Sequence, residues 1–393
     1  MLQQIIENIE QINTQKVLNA FRECRVSEAM LHGTTGYGYD DRGRETLEQL
    51  YATVFEAEDA LVRHTFVNGT HTLSTVFYAI LRPADTLYSV TGAPYDTLLQ
   101  TATQSGGGSL ADFGIKYKQT EIINDEPNYD EIIKTLNTDN SIKLVFIQRS
   151  RGYTQRKTLT LLQIKKICDI VHQNSNAYVF VDNCYGEFVR EHEPTYVGAD
   201  IIAGSLIKNP GGGLAHTGGY IAGKKNLVEL CANRHTAVGI GKECGATLGE
   251  LSSMFQGFFM APHTVAQALK TAVYAAEVFS AEGYEVSPLA TEEREDIIQS
   301  IVFHNKEKLL AFMHGIQMNS PIDSYVTPEP WAMPGYSHDV VMAAGTFVSG
   351  ASIELSADAP IKEPYRAYFQ GGLTFSSGKI AINGALKEVK KII

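Results

Sequence analysis

Apolar, largely β-branched runs recur along the first two-thirds of the chain, each closed by a polar or glycine-rich turn. They predict strands at Leu61–Val67, Asp85–Val90, near 115–120, and at Ile142–Ile147, Ala177–Asn183, Ala199–Lys208 and Gly218–Ala222. Between them, apolar residues fall at helical spacing over Glu45–Glu58, after Thr70 (Leu73, Val76, Phe77, Ile80) and over Leu159–His172. Seven strands with mostly helical crossovers predict an α/β domain over 46–262, built on a large, mostly parallel sheet. Past it the pattern changes. An Ala-rich helix at Val265–Phe279 and a second between Ile297 and Met313 are followed by short strands at Val340–Phe347, Ser352–Leu355 and Leu373–Phe375. A last helix carries Ile380, Ala381, Leu386 and Val389, so 263–393 reads as a smaller α+β domain. Residues 1–45 read as an arm, with a helix marked by Leu18, Phe21 and Val26 before the glycine-rich loop Gly33–Arg44.

Two neighbouring runs deliver one charged side chain each at or past their C-terminal ends, Asp182 and Lys208, 26 residues apart. In an open α/β sheet, ligands sit at those ends. A carboxylate and an amine so placed suit a pyridine ring. The lysine would bind the aldehyde of pyridoxal phosphate and the aspartate would face its ring nitrogen. Asn68-Gly69-Thr70 stands between a strand and a helix, where free backbone N–H groups meet a phosphate, or where Thr merely caps the helix. Tyr95, behind Gly92-Ala-Pro94, is either a stacking residue or a half-buried loop tyrosine. Arg149 and Arg151 beside a strand end suit a substrate carboxylate, or structural ion pairs. The loop with Tyr37, Tyr39 and Arg42 is a connection or an anion-binding segment.

Length and charge narrow the field. At 393 residues the chain exceeds one ordinary core. A net charge of −11 argues against nucleic acid or an anionic membrane as partner. No apolar run has the length of a spanning helix, and the first ten residues lack a basic leader pattern, so a cytoplasmic protein is expected. Five scattered cysteines, none in a C-x-x-C, fit a reducing compartment without a disulfide framework or zinc site; Cys184, next to the Asp182 strand end, reads as a plain buried thiol before a catalytic one. Neither G-x-G-x-x-G after the first strand nor a Walker A pattern is present, which argues against a nucleotide-binding protein.

The motifs Thr34–Asp41, Phe66–His71, Gly92–Thr97, Phe180–Glu187, Gly204–Gly213 and Gln370–Thr374, taken in order, resemble pyridoxal-phosphate enzymes of fold type I, the aspartate-aminotransferase fold. Within that fold they are most similar to the cystathionine and methionine γ-lyase group, in its aluminium-resistance or cystathionine β-lyase-like branch. The match covers nearly the whole chain. The resemblance implies a lyase that eliminates a thiol and ammonia from a sulfur-containing amino acid of the cystathionine, methionine or cysteine type. An aminotransferase or a β-hydroxy amino acid aldolase is the alternative. It further implies that Lys208 carries the cofactor, Asp182 pairs with its ring nitrogen and Tyr95 stacks on the ring. Gly69, Thr70 and Ser205 would hold the phosphate, with Tyr39 and Arg42 reaching into a neighbouring subunit's phosphate site, so that the enzyme is at least a dimer and commonly a tetramer. Two places depart from the group: Gly152-Tyr153 stands where the lyases have Asn-Pro, and Gly372 where they have the carboxylate-binding arginine. Arg151 or Arg149 is then expected to grip the substrate carboxylate, and no metal is implied.

Overall fold

The computed structural model describes residues 2–333, 336 and 338–392. Its larger sheet contains β1 (Asp59–Arg63), β2 (Thr86–Ser89), β3 (Lys116–Gln119), β4 (Ile142–Gln148), β5 (Tyr178–Asp182), β6 (Ile201–Ser205) and β7 (Gly219–Gly223). In space the order is β1-β7-β6-β5-β4-β2-β3. Neighbours from β3 across to β6 are parallel, whereas β7 runs antiparallel to both β6 and β1.

Because both faces of this sheet are covered, its central strands read as continuous apolar runs. Along β5, Val179 and Val181 enter one core and Phe180 the other. The first core is closed by α1 (Leu2–Glu23), α2 (Arg42–Val54), α5 (Tyr129–Thr138), α6 (Leu161–Asn174) and α8 (Leu251–Ala281). The second is closed by α3 (Gly69–Ile80), α4 (Asp96–Thr103) and α7 (Lys225–His235). Each fully buried Val or Phe stabilises by about 1.5–3 kcal/mol, which fixes the register that sets the strand ends. Helix starts follow the sequence: Thr160 and Gln163 form a capping box on α6, and Asn68 caps α3.

The smaller sheet is wholly antiparallel, in the order β8 (Glu285–Ser287), β9 (Gln299–Val302), β12 (Arg366–Gln370), β11 (Ser356–Pro360), β10 (Val340–Ala343). It packs on α9 (Lys306–Met318) and α10 (Phe375–Val389) around a third core. The helix α8 belongs to both bodies, with Met254 to Val273 in the first core and Ala275 and Phe279 in the third.

Here the structure departs from the expected elements. The segment from Ile297, expected as a helix, contains β9, and the helix begins only at Lys306. The strands expected at Ser352–Leu355 and Leu373–Phe375 are replaced by β11 and β12, and Thr374 caps α10 instead. The Ala-rich helix starts at Leu251 and runs through Pro262.

Candidate active site

The C-terminal ends of β2, β4, β5 and β6 and the N-terminus of α3 meet at one edge of the larger sheet. Asp182, the last residue of β5, is in register with Gln148 of β4 and Ala203 of β6. Lys208 lies on the turn after β6, its N–H donating to the Ser205 carbonyl at 3.3 Å. The next turn is pressed against α8 with no room for side chains. A Cβ on Gly212, whose φ is +57°, would collide with the Gly257 carbonyl, and one on Gly257 with that of Gly211.

A cavity of about 340 Å³ opens at these ends. Lys208, Asp182, Tyr95, Gly69 and Thr70 all line it. No ion pair joins Asp182 to Lys208, so the two bound the space rather than filling it with each other. Asn68 Oδ1 accepts from the His71 N–H at 2.8 Å. Helix geometry leaves the N–H groups of Gly69 and Thr70 without intrahelical carbonyls. Thr70 Oγ1 is 3.0 Å from the Tyr95 hydroxyl, and the Tyr95 N–H donates to Gln148 Oε1 at 2.9 Å. Ser205 lies behind this turn. Its Oγ is buried without a partner, and its Cβ would sit 3.6 Å from a Cβ built on Gly69.

Electrostatics follow from burial in an acidic setting. Burial pushes the Asp182 carboxyl up, against the pull of Lys208 and of the Cys184 N–H, which donates at 3.1 Å. Burial works against a charged Lys208, while Asp182, the carboxylate among the groups around it, favours one. Its Nζ lies 4.1 Å from the centre of the Tyr185 ring. Burial, then the charge of Asp182, raises the Tyr95 phenol, and burial raises the Cys184 thiol, so both stay protonated near neutrality.

The chain also brings in residues to which sequence reasoning gave no role: Gln148, Tyr153, Tyr185 and Gln370, which lay in or beside its motifs, and Tyr336, Asp358 and Tyr368, which it missed. Burial pushes the Asp358 carboxyl up to about 6, opposed by its hydrogen bond from Gln370. Asp358 sits in Ser-Ala-Asp-Ala-Pro, where nothing local marks it.

Four expected residues stand elsewhere. Arg151 does not line this cavity. It is 1% exposed, and its guanidinium donates to the Ser287 carbonyl (3.1 Å), Ser287 Oγ (3.0 Å) and Ser300 Oγ (3.0 Å). Its companion Arg149 faces Glu193 and Glu295. Tyr39 and Arg42 are exposed and lie outside the cavity of their own chain. Their loop is held from below by Arg44, which donates to the carbonyls of Gly38, Gly245 and Glu243.

A family model described as methionine gamma-lyase matches residues 1–390. An uncharacterized Bacillus subtilis protein, YnbB, is 50% identical over 386 residues, 97% of this chain and 91% of that one. A carbon-sulfur lyase involved in aluminum resistance from Clostridium novyi NT has a TM-score of 0.95 at 52% identity, covering 99% of this chain and 92% of that one. The pyridoxal-5'-phosphate dependent protein YhfS from Escherichia coli, 12% identical, has a TM-score of 0.64 over 98% of this chain and 97% of that one. That likeness shows the fold alone, which is fold type I.

Proposed function

The chain belongs to the methionine gamma-lyase family, and from that premise we propose that it is a pyridoxal-phosphate-dependent carbon–sulfur lyase, eliminating a thiol and ammonia from a sulfur-containing amino acid. One observation carries the reading: an amine and a carboxylate at adjacent strand ends face one cavity without pairing, beside a helix N-terminus and an orphaned hydroxyl. The residues fit the cofactor. Among the described residues Ser205 Oγ has no partner, and it lies beside Gly69, so a phosphate bound at the α3 N-terminus would give it one. Gly69, Thr70 and Ser205 would hold the phosphate, Lys208 the aldehyde carbon and Asp182 the ring nitrogen, with Tyr95 against the ring.

When bound, the cofactor supplies an electron sink for the charge left on the substrate's α-carbon. Lys208 Nζ is the group placed to take the α-proton. Asp182 keeps the ring nitrogen protonated, because an anion buried at that strand end favours a cation facing it. The Tyr95 phenol, hydrogen-bonded to Thr70, is a proton donor rather than a base near neutrality.

Among the described residues lining the cavity, Lys208 is the one cation. A phosphate dianion calls for more positive charge than that, and Arg42, exposed next to Tyr39, suits a neighbouring copy. The working enzyme is accordingly proposed as a homo-oligomer, dimer or tetramer, acting on a small amino acid and on neither nucleic acid nor membrane. No described helix is long and apolar enough to cross a membrane, and all five cysteines are free, which supports a cytoplasmic setting.

Absorbance spectra of the purified wild type and of Lys208→Ala test the cofactor. A visible imine band is expected in the first and not in the second. Release of ammonia, a 2-keto acid and a thiol from cystathionine, cysteine or methionine is then expected. Amino-group exchange without ammonia would replace the lyase with an aminotransferase.

A further inference from the structure

The smaller domain brings Asp358 of β11 and Tyr368 and Gln370 of β12 to the cavity, where they meet Tyr153, Tyr185 and Tyr336. Gln370 Nε2 donates to Asp358 Oδ2 at 3.1 Å. The Tyr153 ring centre lies 5.2 Å from that of Tyr368 and 5.6 Å from that of Tyr336. Tyr185 already holds a cation over its ring, the Lys208 amine. A carboxylate among aromatic faces, shielded from water, is an environment that attracts positive charge. Asp182, on the lyase reading, belongs to the cofactor ring, which leaves Asp358 facing the space beyond it.

A second cavity shares Tyr153, Tyr336 and Gln148 with this one and carries Asp96 as well as Arg151, His338 and Lys362. Its lining therefore has no single sign, and the preference for a positive group belongs to the space beside Asp358.

Resting on the lyase reading, we propose that Asp358 and its tyrosines form a specificity-determining subsite for a positively charged group on the substrate's side chain. Two sources share that chemistry: a sulfonium at the scissile sulfur, or an ammonium at the end of a thioether arm. A side chain whose only terminal charge is a carboxylate would meet Asp358 uncompensated and be rejected.

The test compares, on the holoenzyme, three thioethers of similar length: S-(2-aminoethyl)cysteine, S-propylcysteine and S-carboxymethylcysteine. S-methylmethionine against methionine forms the sulfonium arm. We expect kcat/KM for keto-acid release to favour the cationic member of at least one arm about tenfold. Asp358→Asn should collapse that ratio, while Asp358→Glu, which keeps the charge, should retain part of it. Dissociation constants for the same compounds on cofactor-loaded Lys208→Ala protein, which binds without turnover, should show the same order. A neutral or anionic compound equalling the cationic ones in both arms would overturn the proposal, as would a ratio unchanged in Asp358→Asn. Should no compound yield keto acid and ammonia, the lyase reading falls, and the dissociation constants alone still decide the charge preference.

Discussion

Glu187 is fully buried behind the lysine turn; the Tyr220 hydroxyl donates to its Oε1 at 2.9 Å and its Oε2 has no partner. Burial, with the charge of Glu193, pushes this carboxyl from 4.5 up to about 8. Folding therefore takes up a proton between those two values, and stability falls as pH rises through the window. Urea denaturation at pH 5 and at pH 8 should show Glu187→Gln losing a few kcal/mol less between the two than the wild type does. An unchanged difference would mean that Glu187 is ionised in the folded protein. At Asp182 the expectation concerns rate. Removing one partner of a buried pair costs roughly 3–5 kcal/mol, so Asp182→Asn should lower kcat on the order of 10²–10⁴-fold if that loss falls on the carbanion-like state. The visible band should persist, since Lys208 is untouched; its disappearance would make Asp182 a binding residue instead.

Ser205 separates a phosphate cradle from ordinary packing. Its hydroxyl is buried at the end of β6 with nothing to bond, which costs the cofactor-free chain stability. Ser205→Ala should leave the cofactor-free protein as stable or more stable, yet raise the cofactor dissociation constant about tenfold, as measured by spectral titration. A purely structural serine would lower stability and leave the titration alone. The strands that present these residues were legible because each is wrapped on both faces. Ile142 to Ile147 and Tyr178 to Val181 are almost uninterrupted apolar runs, and their polar last residues, Gln148 and Asp182, mark the site edge. Phe180→Ala should cost about 3–5 kcal/mol in denaturant titration, because it opens a cavity where Phe77 and Phe146 pack on it. The smaller sheet was harder to read. Ser356-Ala-Asp-Ala-Pro360 and Gln299-Ser-Ile-Val302 are short and rich in small or polar residues, and the second runs straight into the apolar positions of α9. Asp358 and Gln370 reach the cavity only through the way that sheet is laid against the larger domain, and strand periodicity carries no such information.

Across the whole molecule, the two bodies are tied by α8, which contributes to both cores, and by Arg151, which crosses from the loop after β4 to the smaller sheet. The sequence placed two arginines at a strand end and suggested an anion for them. The structure gives Arg151 three serine oxygens on β8 and β9 instead, and Arg366 donates to the same Ser300 Oγ at 3.1 Å. A guanidinium held by neutral oxygens at a domain junction fixes an orientation, and the smaller sheet held there brings Asp358 and Gln370 to the cavity. Arg151→Met keeps most of the aliphatic bulk and removes three donated hydrogen bonds, leaving Ser287 Oγ without its partner while Ser300 Oγ keeps Arg366. It should lower stability by about 2–3 kcal/mol in denaturant titration, with the visible cofactor band intact. A carboxylate anchor would behave in the opposite way, with little loss of stability and a large rise in KM shared by every amino-acid substrate. If stability is unchanged while KM rises for all of them, Arg151 grips the substrate and its serine contacts merely hold it in wait.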